Sequence, residues 1–335
     1  MSISVVIAVH NRRQLIQETI NCLLQQTRRA EQIIVVDDAS TDGTPEAVER
    51  FGSDVILLRL RNNVGPGGAR NVGLERATGE FIQFFDSDDL ASCDLLESKL
   101  VAATEQRADI AYGPWLPVWI ANGICRHDGF VRQFAPVPGD PISAFLRGWV
   151  LFLPNCLIRR ELICAVGGYP TALRTGEDML LLFRLLKYGA RLAHSRRSLL
   201  LVRQHPETQI STARSESVRR AADELGLTSA VLSESDGAAL VTSDCAIAAW
   251  RARHAQATVV ARNLGTTANG TKFVPPPSLV DFGRYHIGQA FRRVRKAVSA
   301  RLNGHRIESQ YQPQPITADQ LAAICSTGLQ PVALR

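Results

Sequence analysis

Asp86, Asp88 and Asp89 place three carboxylates in four residues around Ser87, directly after the apolar stretch Phe81-Ile82-Gln83-Phe84-Phe85. Like charges gathered at the end of a buried strand repel one another, which costs stability unless a cation compensates. Hard carboxylate oxygens suit Mg²⁺ or Mn²⁺, ions that commonly share their coordination with a substrate phosphate. The chemistry open to these residues is to hold a divalent metal against a diphosphate. The same tetrapeptide also suits a plain turn, so its surroundings decide. A second acidic pair, Glu177-Asp178, precedes the apolar run Met179-Leu180-Leu181-Leu182-Phe183. One of its carboxylates could remove a proton from a hydroxyl, although acids at a helix start are also favoured for dipole and capping reasons alone.

The elements that would position these acids alternate. Ser4 to Val9 is a nearly continuous apolar run, suited to a parallel strand covered on both faces. Leu15, Ile16, Ile20, Leu23 and Leu24 recur at helical spacing within Gln14 to Gln26. Gln32 to Val36 predicts a second strand, ending in Asp37-Asp38, and Thr44 opens a helix through Phe51. Val55 to Leu60 predicts a third strand, Gly68 to Ala77 a third helix, and Glu80 to Phe85 a fourth strand. Such alternation implies a mostly parallel sheet with helices on both faces. Ligands of these sheets sit at the carboxyl ends of the strands, so Asp37-Asp38 and Asp86 to Asp89 should converge on one crevice. From about Ala111 the pattern is irregular, with Pro114, Pro117, Pro136, Pro138 and Pro141, and predicts a substrate-facing region rather than a second core. Leu162 to Val166 and Met179 to Tyr188 are expected to be helical, as are roughly Ser215 to Leu225 and Asp236 to Asn263.

At 335 residues, 45% hydrophobic and 21% charged, the composition is that of a soluble globular protein. No stretch reaches the ~18 apolar residues needed to span a bilayer, and no signal peptide is expected at the N-terminus. Seven scattered cysteines with no C-x-x-C pair argue for a reducing compartment, and against a disulfide scaffold or a zinc site. The net charge is +6, but only four of the 38 basic residues are lysines and no nucleic-acid motif is present, so a nucleic-acid partner is not expected.

Taken in order, Ser4 to Arg12, Ile33 to Thr44, Asn63 to Asn71, Phe81 to Asp89 and Glu177-Asp178 resemble the family 2 glycosyltransferases of the GT-A fold. The resemblance covers about residues 1–212. It implies an α/β nucleotide-diphospho-sugar transferase fold, with 1–110 as the nucleotide half, 111–212 as the acceptor half, and 213–335 as a helical extension. It also implies that an acceptor hydroxyl attacks the anomeric carbon opposite the leaving diphosphate, inverting the configuration. By resemblance, Ala8, Val9 and Asn11 lie along the nucleobase, and Asp38 accepts a hydrogen bond from it. An Asp can pair with the imide N–H of uracil, which makes a UDP-sugar the expected donor. Gly68 lets the backbone approach the ligand, and Arg70 reaches the base or the phosphates. Asp86, with Ser87, faces the ribose and the metal region, and Asp88 binds Mn²⁺ or Mg²⁺. Asp178 is the expected general base, with Glu177 beside it, and His205 of Arg203-Gln204-His205 is a metal ligand or phosphate contact. Asp89 is either a further ligand or, as the preferred reading, a cap for a helix beginning near Ser92.

The chain departs from the processive members of that family, since it has neither their transmembrane helices nor a Gln-x-x-Arg-Trp motif. Transfer of one sugar, to a glycan or lipid-linked acceptor, is the expectation. A sugar nucleotidyltransferase would want a Gly-x-Gly-Thr-Arg type loop where Ala8-Val9-His10-Asn11-Arg12 stands. A non-catalytic nucleotide-sugar-binding relic is opposed by the intact acids. Between Phe282 and Leu302 six arginines or lysines and no acid accompany an apolar stripe of Ile287, Phe291, Val294, Val298 and Leu302. Such a helix, about 282–303, can lie on an anionic membrane or pack on the catalytic domain. The expected location is cytoplasmic, with peripheral contact at the inner face of the membrane if the first alternative holds.

Overall fold

In the computed structural model, residues 1–121, 124–127, 130–133, 137, 139–146, 149–204, 217–236, 244–263, 314–315 and 330–333 are described. The basic segment 282–303 and His205 lie outside them. The chain begins with β1 (Ile3–Val9), α1 (Leu15–Leu24), β2 (Gln32–Asp37), α2 (Thr44–Glu49), β3 (Ile56–Arg59), α3 (Gly65–Arg76) and β4 (Phe81–Asp86). It continues with β5 (Leu90–Ala91), α4 (Leu95–Glu105), β6 (Ile110–Tyr112), β7 (Trp115–Ala121), β8 (Ile124–His127), β9 (Phe130–Val131) and α5 (Pro141–Leu146). Then come β10 (Cys156–Arg159), α6 (Arg160–Ala165), α7 (Glu177–Lys187), β11 (Leu192–His194) and β12 (Leu200–Arg203). The last elements are α8 (Ser217–Asp236), α9 (Asp244–Asn263), β13 (Gln314–Pro315) and β14 (Gln330–Ala333).

Seven strands form the main sheet in the order β11-β6-β10-β4-β1-β2-β3. All pairings are parallel except those of β10, which runs against both β4 and β6. Because helices cover both faces, side chains that alternate across β1 are buried on either side, so its sequence reads as one apolar run. α1 buries Ile16, Thr19, Ile20 and Leu23, one face of a helix at 3.6 residues per turn. α3 has a different reason for its position. A Cβ built on Gly73 would stand 2.3 Å from Cγ1 of Val6 and 3.2 Å from Cγ2 of Val36. Only glycine lets the helix axis lie so close to β1 and β2.

The region after Ala111 corrects the sequence expectation. β14-β8-β7-β12-β5 form a second sheet, and Leu90, Leu116, Val118, Cys125, Val131, Leu199 and Leu201 make a hydrophobic cluster of their own. Pro117 sits within β7 although that strand is hydrogen-bonded on both sides, a placement that disguises a strand because proline donates no N–H. The C-terminal region is helical through α8 and α9, and then supplies β13 beside β9 and β14 beside β8.

The chain falls into two compact units. One comprises 1–138, 150–209 and 313–335, and the other 139–149 and 210–312. Within the second, Trp250 of α9 stacks on Phe145 of α5 at 5.6 Å and donates its indole N–H to Leu146 O at 3.0 Å. Among the described residues no helix is long and apolar enough to cross a membrane.

Lys99 on α4 is fully buried. Its Nζ donates to Gln83 Oε1 at 3.2 Å and Asn155 Oδ1 at 2.8 Å, both neutral acceptors. Desolvation therefore pushes its pKa from 10.5 down to about 7. Between those values the unfolded chain binds a proton that the folded chain does not, so this group makes stability rise with pH over that window. The limit is about 1.4 kcal/mol per pH unit. In urea titrations at pH 7 to 9, wild type should gain stability relative to Lys99→Met as pH rises. Parallel curves for the two proteins would show that Lys99 keeps its proton in the folded chain throughout that range.

Candidate active site

The register of the main sheet sets the crevice. Ala8 pairs with Asp86 and Val9 with Asp37, so the ends of β4, β1 and β2 lie level with one another. Asn11 and Ala39, just beyond β1 and β2, both take positive φ (53° and 60°). The conformation is held by cross-links between the two turns. Asn11 donates its N–H to Ser40 Oγ at 2.9 Å and accepts the Thr41 N–H on Oδ1 at 2.8 Å. Non-glycine residues in that region carry backbone strain, which persists where surroundings over-determine it and clusters at functional sites. Asp42 braces the same corner. Burial works against its charge, yet the Thr44 hydroxyl and the N–H groups of Arg13 and Thr44 hold its carboxyl below the usual range.

Asp38 is buried and doubly engaged: Oδ1 accepts the Val64 N–H at 2.7 Å and Oδ2 the Gly65 N–H at 2.9 Å. Its carboxylate thereby ties the first turn of α3 to the end of β2. Its carbonyl accepts from Asn63 Nδ2 at 3.1 Å and from His10 Nδ1 at 2.8 Å, which places the His10 ring proton on Nδ1. Asp37 accepts the Ser40 N–H on Oδ2 at 3.3 Å, while its buried Oδ1 has no partner.

Arg70 is not directed at open space. Nη2 donates to Asp86 Oδ1 at 2.8 Å and Nη1 to Glu177 Oε1 at 3.0 Å, with the Tyr169 ring 5.1 Å from the guanidinium carbon. Burial lifts the Asp86 carboxyl above the usual range, although Arg70 pulls it back. Burial, followed by the adjacent Asp178 charge, lifts Glu177 to about 7 against the same guanidinium. Asp178, half-buried in the first turn of α7, accepts the Met179 N–H at 2.8 Å. Gly68 lies inside α3, where a Cβ would come within 2.9 Å of Val64.

Asp88 faces Arg12, whose Nε is 3.8 Å away. Asp89 is not the helix cap that the sequence suggested, because α4 starts only at Leu95 after Asp94. Instead its Oδ1 accepts the Arg203 N–H at 2.9 Å, joining β12 to the acidic turn. Burial, then the charges of Asp86 and Asp88, hold the Asp89 carboxyl well above its ordinary range, and its buried Oδ2 has no partner. Among the described residues no three metal-binding side chains form a closed cage. A hard divalent ion that acts on phosphates is commonly held by one or two carboxylates and completed by the substrate. Asp88 and Asp86, with the unpartnered oxygen of Asp89 beside them, suit such an ion.

Of the sequence candidates, Ala8, Val9, Asn11, Asp38, Gly68, Arg70, Asp86, Ser87, Asp88, Glu177 and Asp178 all lie in the first compact unit. Sequence reasoning missed Tyr169 and Arg174. Tyr169 packs edge-on to Phe84 at 5.0 Å, and Arg174 donates from Nη2 to Asn63 Oδ1. No local pattern marks either residue. Arg203 is seen to pair with Glu18 at 2.7 Å.

Residues 4–163 match the family model described as glycosyl transferase family 2. The succinoglycan biosynthesis protein ExoO of Rhizobium meliloti is 33% identical over 200 residues, 57% of this chain and 57% of that protein, so the chain spans little more than half of this relative. Staphylococcus aureus TarS residues 1–349, solved with UDP-GlcNAc, superposes with a TM-score of 0.59 at 22% identity, covering 77% of this chain and 72% of that one. The mannosyltransferase PcManGT of Pyrobaculum calidifontis, solved with GDP-Man and Mn²⁺, gives 0.52 at 18% identity over 97% of this chain and 85% of that one. At these identities the two structures show the fold, which is the GT-A fold.

Because Asp38 satisfies two backbone donors at the start of α3, Asp38→Ala should cost about 2 kcal/mol of stability in urea unfolding. Asp38→Asn, which keeps one acceptor oxygen, should cost roughly half that. Equal costs would show that the carboxylate does not brace the turn.

Proposed function

We propose that this chain, whose residues 4–163 match the model of glycosyl transferase family 2, is a member of that family that moves a single sugar from a nucleotide-diphospho-sugar to an acceptor hydroxyl with inversion. The pathway we infer is the building of a cell-surface glycan. The observation that carries the reading is the joining of two carboxylate sets. The acids at the end of β4 and the acids at the start of α7 meet on one guanidinium, although 107 residues separate Arg70 from Glu177. A diphosphate site and a proton acceptor are the two things that sugar transfer needs in one crevice.

In this reading the backbone of Ala8, Val9 and Asn11 lines the nucleoside, with Asp38 beneath it as acceptor for a base N–H. Asp86 and Ser87 face the ribose, and Asp88 holds Mn²⁺ or Mg²⁺ with Asp86 near it. When bound, a divalent ion supplies charge compensation for the departing diphosphate. Asp178 takes the proton of the acceptor hydroxyl as its oxygen bonds to the anomeric carbon, and the bond from that carbon to the diphosphate oxygen breaks. Glu177 stays paired with Arg70, which leaves Asp178 as the carboxylate of the two that the guanidinium does not hold. His205, outside the described residues, is proposed to contact the metal or phosphate. A UDP-sugar is favoured by Asp38 and by the UDP-GlcNAc complex of the structurally similar TarS. The GDP-Man complex of PcManGT keeps the base a matter for measurement. The polysaccharide context follows the name of the relative ExoO. We further propose that the enzyme acts in the cytoplasm, with the basic segment 282–303 meeting an anionic membrane; loss of co-flotation with anionic vesicles on its removal would test that contact.

A thermal-shift panel of UDP, GDP, CDP, dTDP and ADP with Mn²⁺ or EDTA should give one selective, metal-dependent rise. A ligand at a hundred times its Kd stabilises by about 2.7 kcal/mol. No shift with any nucleotide would count against the donor site. Asp88→Ala should lower turnover by about a thousandfold. Asp178→Asn should bind donor as wild type does while losing transfer by at least about a hundredfold. Transfer that survived in Asp178→Asn would remove it as the base.

A further inference from the structure

The face of α3 that carries Gly67, Arg70 and Asn71 has the i, i+3, i+4 spacing of neighbours on a helix surface. All three meet the segment that leads into α7. A Cβ on Gly67 would come within 3.3 Å of Glu177 Cγ and 3.4 Å of Tyr169 Cβ, so glycine sets the closeness of approach. Asn71 clamps the turn reciprocally: Nδ2 donates to Tyr169 O at 2.9 Å, and Oδ1 accepts the Tyr169 N–H at 2.8 Å. Gly168, at φ 72°, lies so near that a Cβ there would be 2.7 Å from Asn71 Oδ1. Between these two contacts the Arg70 side chain is 10% exposed and spends one terminal nitrogen on Asp86 and the other on Glu177.

From this geometry we infer that Arg70 is a positioning residue rather than a donor contact: it is a strut that fixes the start of α7, and so Asp178, against the metal-binding end of β4. The inference rests on the transferase reading above for its catalytic meaning, but its mechanical content is independent of it. The planar fork of arginine is what allows one side chain to hold two carboxylates in a set direction, and a lysine ammonium cannot reproduce that. Inverting transfer needs the proton acceptor on one side of the anomeric carbon and the diphosphate on the other. A strut joining the two acidic groups therefore acts on the reacting geometry and not on the affinity for donor.

The test compares Arg70→Lys, Glu177→Gln and Glu177→Ala in the full chain. Gln keeps an acceptor oxygen for Nη1, whereas Ala removes it. The expected pattern is a fall in kcat of about a hundredfold for Arg70→Lys and Glu177→Ala, with donor KM held within a few-fold. Glu177→Gln should restore most of the turnover. A role confined to balancing charge would make Gln as harmful as Ala, and a direct donor contact would raise the KM of Arg70→Lys with kcat retained. Either result overturns the inference.

Hydrogen–deuterium exchange supplies a second reading that needs no activity. The amides of Leu180 to Phe183 should lose protection in Arg70→Lys and Glu177→Ala, while β1 and β2 stay as in wild type. Unchanged protection there refutes the strut. If wild type turned over no sugar nucleotide, the proposed function would fall and the exchange result would still decide the strut. If Arg70→Lys failed to fold, the Glu177 pair would carry the same decision.

Discussion

Two acids approach from opposite directions in the chain, Asp86 at the end of β4 and Glu177 at the start of α7, and both rest on the guanidinium of Arg70. Buried charges are tolerable only when paired, and removing one partner of such a set typically costs about 3–5 kcal/mol. The crevice exists under that constraint. Three further carboxylates near it have sources of positive potential of their own: N–H groups of Val64 and Gly65 for Asp38, Arg12 for Asp88, and the Arg203 N–H for Asp89. These assignments draw β1, β2, α3, β4, α7 and β12 toward one place. The acids proposed for catalysis and the structural tethers are here the same residues or immediate neighbours.

Much of the main sheet was legible because parallel strands buried on both faces leave long apolar runs, and turn-forming residues mark their ends. The acids at the ends of β2 and β4 could be assigned to one crevice for the same reason. Less could be read where partners are remote. Nothing local to Arg70 tells that its acceptors are Asp86 and Glu177 rather than a ligand. Asp89 looked like a cap because its chain neighbours include the start of a helix, yet its partner is Arg203, 114 residues on. Nothing local in the sequence marks Lys99 as buried, and only the packed structure shows it against Gln83 and Asn155. The second sheet was hidden by short strands and by Pro117 within β7.

α3 carries several of these relations at once. On one side Gly73 brings its backbone against Val6 and Val36, and on another Gly67, Arg70 and Asn71 receive the approach to α7. Its first turn is tied to Asp38. The glycines that resemble a ligand-binding loop in sequence therefore also have packing duties. Protein interiors are close-packed enough that a methyl group at 2.3 Å cannot be absorbed without moving the helix.

The parallel pairing of β14 with β8 joins Gln330–Ala333 to Ile124–His127 across about 200 residues of chain. During synthesis β8 is complete long before its neighbour emerges from the ribosome. For that interval one edge of the second sheet has free N–H and C=O groups, open to pairing with any extended strand nearby. Translation speed over the last third of the chain, and chaperone occupancy while it is made, thus become determinants of how much of this protein reaches its native topology.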